Sequence, residues 1–513
     1  MDLNPLVDWM RKHFASGAGS GHKRRMHVYF LGIGGTAMGN IACLWQARGH
    51  RVSGSDERIY SPMAELLEGA GIAAFEGYDP ARLQALSPDL VIVGNAFSRG
   101  NAEVEWLLSE RLIPFTSLPE FIGREIIGRR PSVVVTGTHG KTTTTALCAH
   151  LLREASCPVG YLVGGVPRGW SGGAADGSAE APFVIEGDEY DSAFFDKRSK
   201  FIHYRPRIAI INTIEFDHAD IFRDFPDVLR TFQHFTRLVP AHGCLLVNGD
   251  EPATRALGEV SWTQVYTVGE GSDNALRLVD FAEDSQGSSF TLLWKGKLWG
   301  SVQWLHTGLY NARNAAMAAL AAGLVQSPAD PTRFPLRAMG SFAGVARRQE
   351  PIGQRSGWQV LEDFGHHPTA LRFILQSARQ CYPGHRLWAV FEPRSNTLRT
   401  NLMAEPLRDA LSLADAVYMG KVDRAEALDP TERLDTVHLA RQLAEGGCAA
   451  RAFADNRELG RTLCRDLEEC PGPGLVVLFS NGSFDGLSGR MKEWCQDAGR
   501  SEAKTSPFAG QTE

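Results

Sequence analysis

The 513-residue chain is poor in features that would place it outside the cell interior. Its nine cysteines (43, 148, 157, 244, 381, 448, 464, 470 and 495) are scattered, odd in number and free of any Cys-x-x-Cys pair. That excludes a disulfide framework and a cysteine-based zinc frame, and the expected compartment is the reducing cytoplasm. No uninterrupted apolar run reaches about 18 residues, so no membrane-spanning helix is expected. The first 26 residues lack an apolar stretch of signal-peptide length, and Gly17 to Arg25 (GAGSGHKRR) reads as a flexible basic lead-in. Positive charge is not in excess either: 53 Lys and Arg against 59 Asp and Glu give a net charge of -6. General binding to nucleic acid or to a membrane surface is therefore not expected. No tandem repeat is visible, and from Phe201 to Trp294 there is no lysine at all.

What is present suits an ordinary globular interior, with 43% hydrophobic and 22% charged residues. At a typical domain length of about 150 residues, the chain should form roughly three domains. Short apolar strands of the buried kind alternate with helical stretches throughout. They fall at 27–31, 51–54 and 90–93, then at 133–136, 183–186, 208–212 and 243–247, and finally at 358–361, 387–391, 416–419 and 475–479. This pattern predicts three consecutive α/β domains with parallel, doubly wound sheets, over 1–126, 127–338 and 339–513. The Gly/Ala/Ser-rich segment 168–182 reads as a mobile loop, an alanine-rich helix follows Leu309, and the tail from Gly499 reads as polar and disordered.

Two glycine-rich turns stand out. Gly137-Thr-His-Gly-Lys-Thr142 follows the apolar strand Val133 to Thr136 and opens a helix. It is shorter than the usual phosphate loop but has strand, tight turn, Lys-Thr and helix in the required order. Backbone N–H groups at that helix start would hold phosphates, Lys141 would neutralise them, and the Thr142 hydroxyl would face Mg²⁺. Gly32-x-Gly34-Gly35-x-Ala37, with Asp56 ending the next strand, fits a dinucleotide fingerprint with alanine in third place. By itself this loop would serve a nicotinamide cofactor as well as any other nucleotide diphosphate with a ribose diol. Carboxylates gather at two strand ends, Glu186-Gly-Asp-Glu-Tyr-Asp191 and Asn212-Thr-Ile-Glu-Phe-Asp-His-Ala-Asp220. Oxygen-rich groups with one imidazole beside a phosphate loop suit Mg²⁺ in phosphoryl transfer. Cys/His zinc chemistry has no support in this pattern.

The ordered set GTHGKTT, EGDEYD, N-x-x-E-x-D-H, YNARN, GVARR and DFGHHP resembles the Mur ligases, ATP-dependent amide-forming enzymes of cell-wall synthesis. The resemblance implies a Rossmann-like UDP-binding domain, a central P-loop ATPase-like domain and a Rossmann-like C-terminal domain. It also implies a monomer or weak homodimer acting on small molecules with ATP and Mg²⁺. Gly137, Thr138, His139, Gly140, Lys141, Thr142 and Thr143 would bind ATP, with Asn311 and Asn314 on the nucleotide side. Arg348 and Asp363 would reach ATP from the third domain. Thr142, Glu186 and His218 would hold Mg²⁺, and Gly32, Gly34, Gly35, Thr36 and Asp56 would lie against the UDP of a UDP-sugar. The absence of lysine over 201–294 excludes from that segment the carbamylated lysine of several family members.

Within the family, Phe391-Glu-Pro-Arg-Ser-Asn-Thr-Leu-Arg399, Gly94-Asn-Ala-Phe-Ser-Arg-Gly-Asn101 and the segment 194–206 with Asp-Lys-Arg-Ser-Lys resemble one branch. Its members join L-alanyl-γ-D-glutamyl-meso-diaminopimelate to UDP-N-acetylmuramate. The alternative is the branch that adds L-alanine to the same acceptor. In the favoured reading Arg394, Asn396 and Arg399 would read a carboxylate of the peptide, a task suited to a planar guanidinium. Two rival classes remain open: a nicotinamide-dependent oxidoreductase, and an ATPase serving as a binding or transport module.

Overall fold

The computed structural model describes residues 25–502, with side chains as far as Gln496. The lead-in before Arg25 and the tail beyond Glu502 lie outside the described residues. Three large sheets follow one another along the described residues, with a two-stranded antiparallel sheet, Asp191–Ala193 and Asp196–Ser199, beside the second. In the first, five parallel strands run in the order Ala73–Glu76, Arg51–Asp56, His27–Leu31, Leu90–Val93, Phe115–Ser117. His27–Leu31 is buried along its whole length because helices cover both faces of such a sheet. The strand order reverses between His27–Leu31 and Leu90–Val93. A crevice opens there at the carboxyl ends, and the first glycine turn sits in it.

The second sheet has ten strands. Ser132–Thr136 lies inside it, flanked by Ile208–Ile211 and Phe183–Glu186 in parallel register, with Thr136 opposite Ile211 and Val135 opposite Glu186. That register is what brings the phosphate loop and both carboxylate clusters to one edge. Parallel pairing continues through Cys244–Asn248 and Gln264–Gly269, but the sheet then extends as an antiparallel meander, Leu276–Asp284, Gly287–Trp294 and Lys297–Trp304. The wholly parallel sheet expected here is corrected accordingly. The meander alternates buried and exposed residues, a half-buried pattern unlike the continuous apolar runs of the inner strands. The segment expected as a mobile loop also differs: it holds the short strand Ala174–Ala175, and Asp176 is gripped by Arg48 at 2.5 Å and Arg130 at 3.3 Å.

The helix Leu309–Gln326 is almost entirely buried and packs along the helix Lys141–Glu154. Its run of alanines permits that close approach, since small side chains let helix axes draw together. Behind Gly187 of the first carboxylate loop, Phe201 packs on Phe232 and Phe235 with ring centroids 5.7 and 4.7 Å away, all three fully buried. Truncating one of them to alanine costs about 3–5 kcal/mol.

The third sheet has six strands, in the order Glu350–Arg355, Trp358–Asp363, Gly474–Phe479, Arg386–Phe391, Ala416–Met419, Ala449–Ala452. The first is antiparallel and the rest are parallel. Asp363, Phe479 and Phe391 share one register line at the carboxyl edge, so the Arg394 turn leaves the sheet at the same edge as Asp363. The first residues of the tail expected to be disordered from Gly499 instead continue the last helix, Leu487–Glu502, and the remainder lies outside the described residues. Among the described residues no helix is long and apolar enough to cross a membrane.

Candidate functional site

The phosphate loop is shaped by two glycines. Gly137 and Gly140 have φ of +124° and +79°, values that side-chain-bearing residues avoid. A Cβ on Gly140 would also collide with Oδ1 of Asn314 and lie 2.8 Å from Nδ2 of Asn212. The helix Lys141–Glu154 starts with no side-chain cap, so its first N–H groups face the cleft without an internal acceptor. The Lys141 ammonium donates to the Gly137 carbonyl at 2.7 Å and to Glu189 at 2.9 Å. Burial disfavours its charge, but Glu189 and Asp188 outweigh burial and raise the Lys141 pKa.

Thr142 Oγ1 donates to Glu186 Oε2 at 2.9 Å, and Arg348 of the third domain donates to the same hydroxyl oxygen at 3.3 Å. Burial and the neighbouring Asp188 push the Glu186 carboxyl up to about 7. Asp188 shows the opposite balance. Burial opposes its ionisation, yet Lys200, whose Nζ is 3.1 Å away, and Lys141 hold it below the usual range. His218 Nε2 is 3.5 Å from Glu189 Oε1. Burial lowers the imidazole pKa, but the hydrogen bond and charge of Glu189 prevail and raise it. Lys141, Thr142, Glu186, His218 and Arg348 thus converge in one contiguous charged network.

Asn314 and Asn311 lie in the first turns of the Leu309–Gln326 helix. Asn311 donates to Thr307 O at 2.7 Å and to Gln349 Oε1 at 3.1 Å, tying the central domain to the Arg348 segment. Asp363 accepts from the backbone of Gln349 at 2.8 Å and of Gly365 at 2.6 Å. Burial raises its pKa against the pull of Arg348.

The third domain is fastened to the 212–220 loop of the central domain. Thr369 donates to Glu215 and Thr397 to Asp217, both at 2.7 Å, and Asn396 donates to Asp220 at 2.8 Å. Arg394 lies 3.4 Å from Asp423 and 3.7 Å from Glu392, and Arg399 donates to Asn396 at 2.6 Å. Arg394, Asn396 and His218 line a side cleft of about 240 Å³. Asp217, His218, His366 and Asn481 line it too and also border the main cleft, whereas Arg399 stands behind Asn396 and lines neither.

The first glycine turn faces the far end of the main cleft. Gly32 has φ of +97°, and the Phe97 ring lies where a Cβ at that position would point. The N–H of Gly34 donates to Asp56 Oδ2 at 2.9 Å, so Asp56 braces the turn from inside. The helix Thr36–Ala47 begins at Gly35, again with no side-chain cap. Gly34 and Thr36 share with Lys141, Glu186, Arg348 and Asp363 one cleft of about 1390 Å³.

Three groups at the centre were not singled out from the sequence. Asn212 ends the strand beside the phosphate loop, and its Nδ2 donates to Thr144 at 3.0 Å, within 3.4 Å of His139 O and 3.5 Å of Asn314 Oδ1. Glu189 pairs both Lys141 and His218, and Lys200 faces Asp188 while lying over the Tyr190 ring. Their motifs were visible, but which carboxylate meets which cation depends on strand register and loop path.

Two glycine turns opening into one cleft, with a cationic and carboxylate network beside one of them and a third domain docked against it, suit an enzyme that acts on a nucleotide and a second anionic substrate. The chain belongs to the Mur ligase family. Residues 27–130 match the Mur ligase family catalytic domain, 135–322 the Mur ligase middle domain, and 347–482 the Mur ligase glutamate ligase domain. The chain is 38% identical over 473 residues to the Escherichia coli K12 UDP-N-acetylmuramate–L-alanyl-γ-D-glutamyl-meso-2,6-diaminoheptandioate ligase, covering 91% of this chain and 97% of that one. It is 29% identical over 456 residues to the UDP-N-acetylmuramate–L-alanine ligase of Desulfitobacterium hafniense, covering 88% and 96%. The crystal structure of a murein peptide ligase from Psychrobacter arcticus superposes with a TM-score of 0.68 at 32% identity, over 92% of this chain and 98% of that one.

Proposed function

We propose that this chain is an ATP-dependent amide ligase that joins the carboxylate of UDP-N-acetylmuramate to the amine of L-alanyl-γ-D-glutamyl-meso-diaminopimelate. The observation that carries the reading is the single cleft shared by both glycine turns, since two anionic substrates must meet there. The substrate carboxylate takes the terminal phosphoryl group of ATP, and the peptide amine then displaces phosphate from the acyl phosphate. Lys141 and the uncapped helix start hold the phosphates, and Arg348 carries positive charge into the cleft from the third domain. Asn311, Asn314 and Asp363 set the nucleotide side, and Gly34, Gly35 and Asp56 set the UDP side. Closure of the third domain over the cleft excludes water from the acyl phosphate.

The residues present fit Mg²⁺. Thr142 and Glu186 oxygens stand 2.9 Å apart, and Glu186, displaced to about 7 by burial and Asp188, needs a cation to stay ionised. Thr142 and Glu186 would hold a first ion and His218 a second, and when bound these ions would screen phosphate from carboxylate. Arg394 reads a peptide carboxylate, with Asn396 contributing and Arg399 supporting Asn396. In this reading the units divide near residues 126 and 338.

The deciding experiment is phosphate release with Mg-ATP and UDP-N-acetylmuramate, comparing the tripeptide with L-alanine as acceptor. Release with tripeptide and formation of the UDP-linked tripeptide is the expected result. Release with L-alanine alone would make it the alanine-adding branch, the activity for which the 29% identical relative is named. Release needing no sugar nucleotide would restore the plain ATPase.

A further inference from the structure

His139, Glu215 and His367 come from three segments: the phosphate loop, the loop after Ile208–Ile211, and the third domain. One ligand-type atom from each lies within 4.8 Å of the other two, and this is the one such group of three His, Cys, Asp or Glu residues among the described residues. His139 Nε2 is 3.6 Å and His367 Nδ1 3.3 Å from Glu215 Oε2. Two ligands on a tetrahedral ion with bonds of about 2.0–2.1 Å are separated by roughly 3.3 Å, so both edges already have that scale.

A buried polar cluster could serve only to fasten the domains, but one atom argues otherwise. His139 Nε2 is shut off from solvent and has no hydrogen-bond partner. A lone buried imidazole nitrogen aimed at a carboxylate costs stability unless something occupies the space between. The outer contacts are those of a ligand set. His367 Nε2 lies 3.3 Å from the Phe216 carbonyl, which fixes the proton on Nε2 and leaves the Nδ1 lone pair facing Glu215. That lone pair otherwise accepts only a long 3.3 Å contact from the Thr369 N–H. Thr369 Oγ1 donates at 2.7 Å to that same Glu215 oxygen, Oε2, and so orients the carboxylate.

We infer that His139, Glu215 and His367 bind one divalent transition-metal ion of the Zn²⁺ type, separate from the Thr142 and Glu186 position. Two imidazoles and one carboxylate favour such an ion over Mg²⁺, which takes oxygen ligands. Three protein ligands leave a fourth position open to water. Bound there, the ion cross-links the phosphate loop to the third domain and holds the cleft closed.

The test titrates Co²⁺ into the full-length protein under excess Mg²⁺, which saturates the oxygen site. The expected result is one equivalent of Co²⁺ with visible d–d absorption of a four- or five-coordinate ion, displaced by Zn²⁺. His367→Asn keeps a helix-capping side chain and Glu215→Gln keeps the Thr369 contact, yet each should weaken Co²⁺ binding at least tenfold. Their unfolding temperatures in chelator report folding, and if His367→Asn does not fold, Glu215→Gln and the native spectrum decide. Absence of the absorption in the native protein, or less than tenfold weakening in a folded variant, overturns the site.

Discussion

The two glycine turns look alike in backbone and differ in what surrounds them. Both end a buried parallel strand, both lead into a helix without a side-chain cap, and both bend through a glycine at positive φ, Gly32 at +97° and Gly137 at +124°. At the first, the nearest ionisable group is Asp56, which accepts the Gly34 N–H and braces the turn. At the second, Lys141 stands against Glu189, Glu186 faces Thr142, and Arg348 arrives from another domain. A glycine turn makes a cradle for an anion; the side chains around it decide whether the anion is only held or also reacts. In the proposed function the first turn accordingly serves recognition and the second phosphoryl transfer.

The largest effect should come from Lys141→Ala. Phosphate release should fall by about 10²–10³-fold, the scale of losing one charged stabiliser, while UDP-sugar binding measured by calorimetry stays near native. Removing the lysine also leaves Glu189 buried without that partner, so the melting temperature should drop. A Lys141→Ala enzyme that kept native turnover would erase the distinction between the turns.

Gly140→Ala compared with Gly35→Ala sharpens the contrast further. At 140 an alanine would meet a positive φ and the Asn314 side chain, a cost of about 1–3 kcal/mol with loss of ATP binding. At 35 the nearest atom to an added Cβ is the Gly32 carbonyl at 3.4 Å, so the fold should tolerate it. Equal destabilisation of the two variants in chemical denaturation would contradict this.

Smaller still, Asp56→Ala should raise KM for the sugar nucleotide by roughly tenfold, the value of one charge-assisted hydrogen bond, with kcat nearly unchanged. Steady-state kinetics with saturating ATP and tripeptide would show a fall in kcat instead if Asp56 took part in chemistry. Arg394→Ala should likewise raise KM for the tripeptide alone; a lower melting temperature with unchanged KM would make Arg394 a loop-shaping residue.

A test of a different kind is pH. Burial, helped by His139, depresses His367 to about 4, and burial of Glu215 is overcome by His139 and His367, which hold it at about 2. A depressed histidine contributes stability that is complete above its unfolded value near 6.5 and lost as pH falls through 4. Denaturation midpoints should therefore decline over that window by at most roughly 3 kcal/mol in free energy, and His367→Asn should flatten the slope. An unchanged slope in that variant would place the acid sensitivity elsewhere.

Much of this was legible from the residues. Buried apolar strands before Gly32 and Gly137 declared parallel sheets, because only strands covered on both faces read as unbroken apolar runs. The order of motifs pointed to the family before any geometry was known. The meander over 276–304 was missed because its alternating residues carry a weak signal, and the pinned segment at Asp176 because Arg48 and Arg130 lie far off in sequence.

By itself, then, the sequence determined the local devices: where the chain turns, which turns need glycine, and where Lys141, Thr142 and Asp56 stand relative to them. These follow from φ, ψ and neighbours a few residues away. Only the tertiary structure decided which devices meet. Parallel register set Glu186 and Asn212 beside Thr136, and docking of the third domain brought Arg348 to Thr142 and His367 to His139. Such pairings are fixed by burial and packing between segments up to about 200 residues apart, as with Thr142 and Arg348 at a separation of 206, and no local pattern encodes them.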